Sequence, residues 1–286
     1  RGLGDVYKRQ GLLLVLIGGW GSLSAQSAGS NYARQVNTLI GTKGVGLTSG
    51  YLYPGATYPY GMVQFTPSYF SKRSGFVINQ LSGGGCEHMG NFPTFPVKGK
   101  LKMSPDNILN YRINISEEKG HAGYYEAKVQ EDIHAKLTVT ERTGMASYEY
   151  PADQQYGTVI IGGGISATPI EQAAIVITAP NKCEGYAEGG NFCGLRTPYK
   201  VYFVAEFDTD ALESGTWKRD ELKPNTTFAE GEYSGVYFTF DVNKKKNIQY
   251  KIGVSYVSVE NARENLKAEN TGWDFLQIQN QAESKW

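Results

Sequence analysis

Neither sign of charge dominates this chain. Lys plus Arg and Asp plus Glu each number 28, so the formal net charge is zero. A nucleic-acid binder usually carries a basic excess or stripe, and none is present. Histidine and cysteine are scarce, at three residues each. No Cys-x-x-Cys or His-Glu-x-x-His spacing occurs, which argues against a structural zinc site. Long apolar runs are missing too. The stretch from Gly11 to Leu23 is too short for a confident membrane span. The triple glycine Gly83-Gly84-Gly85 is followed by no Lys and flanked by strand-like sequence, so it does not satisfy the phosphate-loop pattern.

The short apolar run ends in small residues, Ser24-Ala25-Gln26. That is the shape of a signal-peptide core over residues 11–25, and it predicts an exported protein, periplasmic, cell-surface or extracellular. Residues 1–10 begin without Met and mix acid and glycine where a signal peptide would carry Met and Lys. They resemble translated adaptor sequence and are set aside from the fold.

What the chain does have is aromatic and glycine-rich. The aromatic share is 13%, led by 20 tyrosines. Tyrosine at this density favours β-structure and suits carbohydrate or protein contact surfaces. Apolar and polar residues alternate in Gly123–Val129, Ile133–Glu141 and Met145–Tyr150, the pattern of half-buried strands. Thr158–Ile161, Ala174–Ile177, Tyr199–Phe207, Val236–Val242 and Ile248–Ser258 continue it, with polar turns between. Many short strands with almost no helical period predict an all-β fold, a large antiparallel sandwich over residues 31–258. Helical character enters only at Val259–Asn270 and Trp273–Trp286. In the second segment Phe275, Ile278 and Ala282 share a face, and no C-cap signal closes it. An amphipathic helix without a closing cap suggests that the sequence stops short within residues 259–286, with a lone terminal helix packed on the sandwich as the alternative.

Two turn-rich blocks draw the functional reading. The first is Pro54–Gln64 and the second is Gln80–Pro93. Proline fixes φ and glycine permits positive φ, so such runs build a definite loop that presents groups to a ligand. In the second block Cys86 and His88 could share one face, permitting a nucleophilic pair, a sugar contact or a purely structural role. Cys183 and Cys193 bracket what reads as a Gly-rich loop and are a disulfide candidate worth roughly 2–3 kcal/mol, with free thiols as the alternative. His121 reads as structural and His134 as a surface residue. Glycosidic cleavage needs two flanking carboxylates. Glu87, Glu117, Glu118, Asp132 and Glu141 are available, but no spacing pairs any two of them. Asn114-Ile-Ser116 and Asn225-Thr-Thr227 match the glycosylation acceptor pattern, which matters only in a eukaryotic secretory route.

Val36–Thr42, Pro54–Gln64 and Leu81–Cys86, followed in order by Gly123–Tyr125, Leu137–Gly144, Tyr199–Phe207, Glu260–Asn265 and Trp273-Asp274, resemble the N-terminal domain of glycoside hydrolase family 92. The resemblance implies a galactose-mutarotase-like supersandwich followed, over residues 259–286, by the start of an α-helical linker. It implies an exported bacterial enzyme, a calcium-dependent, inverting exo-α-mannosidase acting on mannose-containing glycans. It also implies that the general acid, the general base and most calcium ligands come from an (α/α)6 barrel beyond this chain. No catalytic or metal residue is then expected here. Gly84, Gly85, Cys86, Glu87 and His88 are expected to line the sugar cleft. Family members often carry a His before the Leu-Ser-Gly and a Thr between the glycines, where this chain has Gln80 and Gly84. A tryptophan often found upstream is not evident in Ser71–Phe76. A stand-alone carbohydrate-binding sandwich without catalysis is the competing expectation, and an unrelated secreted structural β-protein a further one.

Overall fold

Alternation along several strands leaves each of those with one apolar face to bury. A computed structural model of the protein describes residues 32–42, 52–68, 75–84, 86–106 and 114–286. The adaptor-like and signal-peptide expectations fall outside the described residues. The strands in chain order are β1 (Ala56–Thr57), β2 (Gln64–Pro67), β3 (Phe76–Val77), β4 (Thr94–Lys98), β5 (Ile115–His121) and β6 (Tyr124–Val129). Then come β7 (Ile133–Val139), β8 (Thr143–Glu149), β9 (Tyr156–Gly162), β10 (Ile170–Ala179), β11 (Lys182–Phe192) and β12 (Leu195–Phe207). The last are β13 (Glu213–Lys218), β14 (Glu221–Pro224), β15 (Phe228–Glu230), β16 (Ser234–Asp241) and β17 (Asn247–Ser255). Two helices close the order, α1 (Val259–Glu269) and α2 (Phe275–Lys285).

The strands form two antiparallel sheets. One has eight strands in the order β1-β2-β3-β4-β9-β16-β13-β14, the other nine in the order β15-β10-β11-β12-β17-β8-β7-β6-β5. The fold is therefore the all-β sandwich that the alternation implied. Aromatic side chains join the sheets. Phe207 of β12 meets Phe238 and Phe240 of β16 at ring distances of 5.0 and 5.1 Å. Phe76 of β3 stacks on Tyr148 of β8 at 6.2 Å. Each fully buried ring contributes about 2–3 kcal/mol of hydrophobic stabilisation. Tyr125, Tyr148, Tyr150 and Tyr250 lie in this core, so part of the tyrosine excess fills the sandwich rather than its surface.

The helices cover the outer face of the larger sheet. Ser258 caps α1, its Oγ accepting from the Asn261 N–H at 3.0 Å. Ala262 and Leu266 bury against Val204 of β12. The approach is close because β17 offers Gly253 there. A Cβ at that position would lie 2.6 Å from the Ala262 carbonyl oxygen. Asp274 caps α2 in the same way, accepting from the Gln277 N–H. Phe275 and Ile278 pack on Tyr124 and Met145, and Ala282 is buried with them on that face. This cover explains why β7 departs from alternation at its end, where Thr138 and Val139 are both buried.

Between α1 and α2 the chain is held at its corner. Glu269 accepts from the Thr140 hydroxyl and the Arg142 backbone N–H, and also from the Arg142 guanidinium. Lys251, buried in β17, donates to the Asn270 carbonyl at 3.0 Å and lies 4.4 Å over the Trp273 ring. Burial lowers the pKa of this ammonium, against a raising effect of nearby Glu206. Among the described residues no helix is long and apolar enough to cross a membrane.

Candidate functional site

The second turn-rich block forms a loop closed at its base and tied at its tip. At the base Asn79 Nδ2 donates to Asn91 Oδ1 at 3.0 Å, and the Asn91 N–H returns a bond to Asn79 Oδ1 at 2.8 Å. The Tyr199 hydroxyl adds a bond to Asn91 Oδ1 at 2.9 Å. Gly83, Met89, Gly90 and Phe92 have positive φ. Two of those four are not glycine, so the surroundings impose the turn against a local cost of about 1–2 kcal/mol per residue.

The tip is a disulfide between Cys86 and Cys193, across a sequence separation of 107. Cys193 sits in the turn joining β11 to β12, so the bond fastens the loop to that hairpin. His88 adds a second tie. Its Nδ1 lies 3.2 Å from the Asn191 carbonyl, and a carbonyl only accepts, so Nδ1 carries the proton. The imidazole packs edge-on against Phe192 and Tyr199 at 4.9 and 5.8 Å.

The Cys183–Cys193 pairing is corrected by this arrangement. Cys183 lies at the start of β11, wholly buried and unpaired. Cys193 follows the last residue of the same strand. Ten residues of strand separate the two by roughly 33 Å, far beyond the roughly 4–7 Å that a disulfide allows between Cα atoms. The stretch between them is not a loop at all but the strand itself. Its glycines read as a turn from sequence, yet Gly185 and Gly189 sit in the β10–β11–β12 ladder. A Cβ on Gly185 would meet the Ala174 carbonyl at 2.1 Å, so the glycine serves close strand packing. Burial pushes the Cys183 thiol well up, so it is an inert core residue.

The remaining site residues divide. Gly84 is half-buried, and a Cβ there would touch the Phe192 ring at 3.4 Å. Gly85 lies outside the described residues. Cys86 is oxidised, so the nucleophilic pair with His88 does not exist in this form. His88 is 8% exposed and held by the hairpin, which makes it a support for the loop. Glu87 is half-buried, and burial raises its carboxyl above the usual carboxylate range. Sequence reasoning missed Asn79, Asn91, Asn191, Phe192 and Tyr199. Cys86 alone offered a signal, since three cysteines allow a pairing other than the nearest in sequence. Glu117 is paired with Lys128 and Asp132 with Lys98, and Glu118 accepts from the Tyr125 hydroxyl, so these carboxylates are engaged structurally. Among the described residues no three His, Cys, Asp or Glu side chains cluster as a metal site would require.

The first block makes a tight turn. The Gly61 N–H bonds the Tyr58 carbonyl at 3.0 Å, and the Met62 N–H bonds the Glu141 carbonyl at 2.8 Å. Tyr60, after Pro59, holds φ at 57° with its side chain fully exposed, at 105%. Glycine is the usual occupant of that turn position.

The family model for the glycosyl hydrolase family 92 N-terminal domain matches residues 35–255. The chain belongs to that family. It is similar to an uncharacterised secreted glycosidase of Arthroderma benhamiae, 26% identical over 88% of this chain and 37% of that protein. Among solved structures it is similar to the family 92 glycosyl hydrolase ccman5, with a TM-score of 0.78 and 22% identity over 89% of this chain and 36% of that one. It is also similar to the α-mannosidase BT3965 of Bacteroides thetaiotaomicron in complex with mannoimidazole, with a TM-score of 0.76 and 24% identity over 90% and 36% of the two chains. The chain thus spans little more than a third of the length of these relatives. The structural likenesses carry the fold.

Proposed function

We propose that the whole protein is an exported bacterial exo-α-mannosidase, calcium-dependent and inverting, and that this chain supplies one wall of its sugar cleft. The match to the family 92 N-terminal domain over residues 35–255 is the observation that carries this reading. The clamped loop supports it, because a disulfide and two layers of hydrogen bonds hold glycine-rich backbone rigid, and a preformed wall binds with less ordering cost.

In this reading the backbone around Gly84, Gly85 and Cys86 and the carboxyl of Glu87 meet sugar hydroxyls. His88 and Asn91 set the loop's position without touching sugar. The general acid, the general base and the calcium ligands belong to a C-terminal barrel. The described residues contain no group of three His, Cys, Asp or Glu side chains that could hold a metal ion, and in this reading the barrel would supply the calcium site. Inversion needs two carboxyl groups about 6.5–9.5 Å apart, with room for a water.

The test is expression of the complete reading frame and of the 286-residue chain. The complete protein is expected to release mannose from α-mannobiosides, with β-mannose appearing first by NMR and activity lost on chelation. No mannoside turnover by the complete protein, or turnover by the 286-residue chain alone, overturns the assignment.

A further inference from the structure

A second concave feature lies away from the clamped loop. Between the β7–β8 turn and the α1–α2 corner is a cavity of about 490 Å3. That is within the range, roughly 300–1,000 Å3, of small-molecule sites. None of its lining residues belongs to the loop from Asn79 to Asn91.

We propose that this cavity is a binding site for a neutral sugar, separate from the cleft assigned to the loop. Its chemistry is that of a polyol site. Tyr58 supplies an aromatic wall and Ile278 an apolar one, while Glu141, Gln277 and Gln281 supply hydrogen-bonding groups around the opening. A sugar ring presents both kinds of surface, an apolar C–H face and a rim of hydroxyls. The back wall is preorganised. Glu269 is fixed by Thr140 and Arg142, and Asp274 is fixed as the cap of α2. Each therefore offers a spare carboxylate lone pair without having to be ordered on binding.

Charge argues against an anionic ligand. Glu141, Glu269, Asp274, Arg142 and Lys285 all line the cavity, and Arg142 is already paired with Glu269. The free charge left is two carboxylates against one ammonium. A phosphate or sulfate would meet net repulsion, whereas hydroxyls can donate to the carboxylates.

The experiment is ligand-observed NMR and calorimetry on the 286-residue chain with methyl α-mannoside, α-1,2-mannobiose, cellobiose and sodium sulfate. At least one sugar is expected to bind in about the millimolar range. Glu141→Ala, Gln277→Ala and Gln281→Ala should each weaken it roughly fivefold, the effect of about one hydrogen bond. These side chains are exposed, so the variants should keep the parent's melting temperature, and a circular dichroism melt checks that they do. Absence of sugar binding at tens of millimolar overturns the proposal. So does binding of sulfate instead, or sugar binding that survives the three cavity variants and is lost in Glu87→Ala. That last result would place the sugar on the clamped loop and leave the proposed function standing.

Discussion

Removing the Cys86–Cys193 bond should be the most damaging single change to this sandwich that leaves the core intact. The bond closes a loop of 107 residues. On the chain-entropy account, cross-linking so distant a pair stabilises the fold by about 4.7 kcal/mol. That is about three-tenths or more of the roughly 5–15 kcal/mol that holds a typical domain together. The native tip keeps other ties, His88 to Asn191 and the ring contacts to Phe192 and Tyr199. These should keep the loop seated in C86S, so the loss is mainly of unfolded-state constraint. With a urea m-value of about 2–3 kcal/mol/M, the midpoint should fall by about 1.5–2.5 M. The assay is urea unfolding by tryptophan fluorescence, for the parent with and without reductant and for C86S and C193S. Alkylation under denaturing, non-reducing conditions should label one cysteine, Cys183. A C193S midpoint within 0.3 M of the parent's (about the error of extrapolation), or labelling of Cys86 in the oxidised protein, would refute the reasoning.

Three further outcomes follow from the packing and charge. Burial raises the Glu87 carboxyl, so its stabilising share is whole below the ordinary carboxylate pKa and is lost as pH rises through the raised value. Glu87→Gln should therefore unfold at higher urea than the parent at neutral pH and match it near about pH 3. Gly253→Ala places a Cβ against the Ala262 carbonyl at 2.6 Å and the Leu266 Cβ at 2.9 Å, and should cost about 1–3 kcal/mol by overpacking. Its signature is faster amide exchange across Val259–Glu269, since the helix must lift. Lys251→Ala strips the Asn270 carbonyl of its buried donor and Trp273 of its cation. A loss of about 1–3 kcal/mol is expected, and a midpoint equal to the parent's would show that the corner holds without it.

Much of the architecture was legible because it rests on local rules. Ile133, Ala135 and Leu137 face inward and His134 outward in β7, a pattern written directly in the residue order. Phe275, Ile278 and Ala282 form the buried stripe of α2, again from spacing alone. Legibility ended where a glycine had two readings. Gly185 and Gly189 are strand glycines, and only the neighbouring β10 and β12 backbones explain them. The tyrosines were ambiguous in the same way, since burial of Tyr148 and Tyr250 depends on which sheet face meets the other.

The order of residues settled the all-β class, the inward faces of the strands and the late turn to helix, because period and turn chemistry act between neighbours a few positions apart. Three dimensions alone decided that Cys86 finds Cys193, that Asn79 and Asn91 lock to each other beneath Tyr199, and that Tyr58, Glu141 and Gln277 surround one hollow. Those are meetings between segments a dozen to more than a hundred residues apart in the chain, and only the stacking and register of the sheets can bring them together.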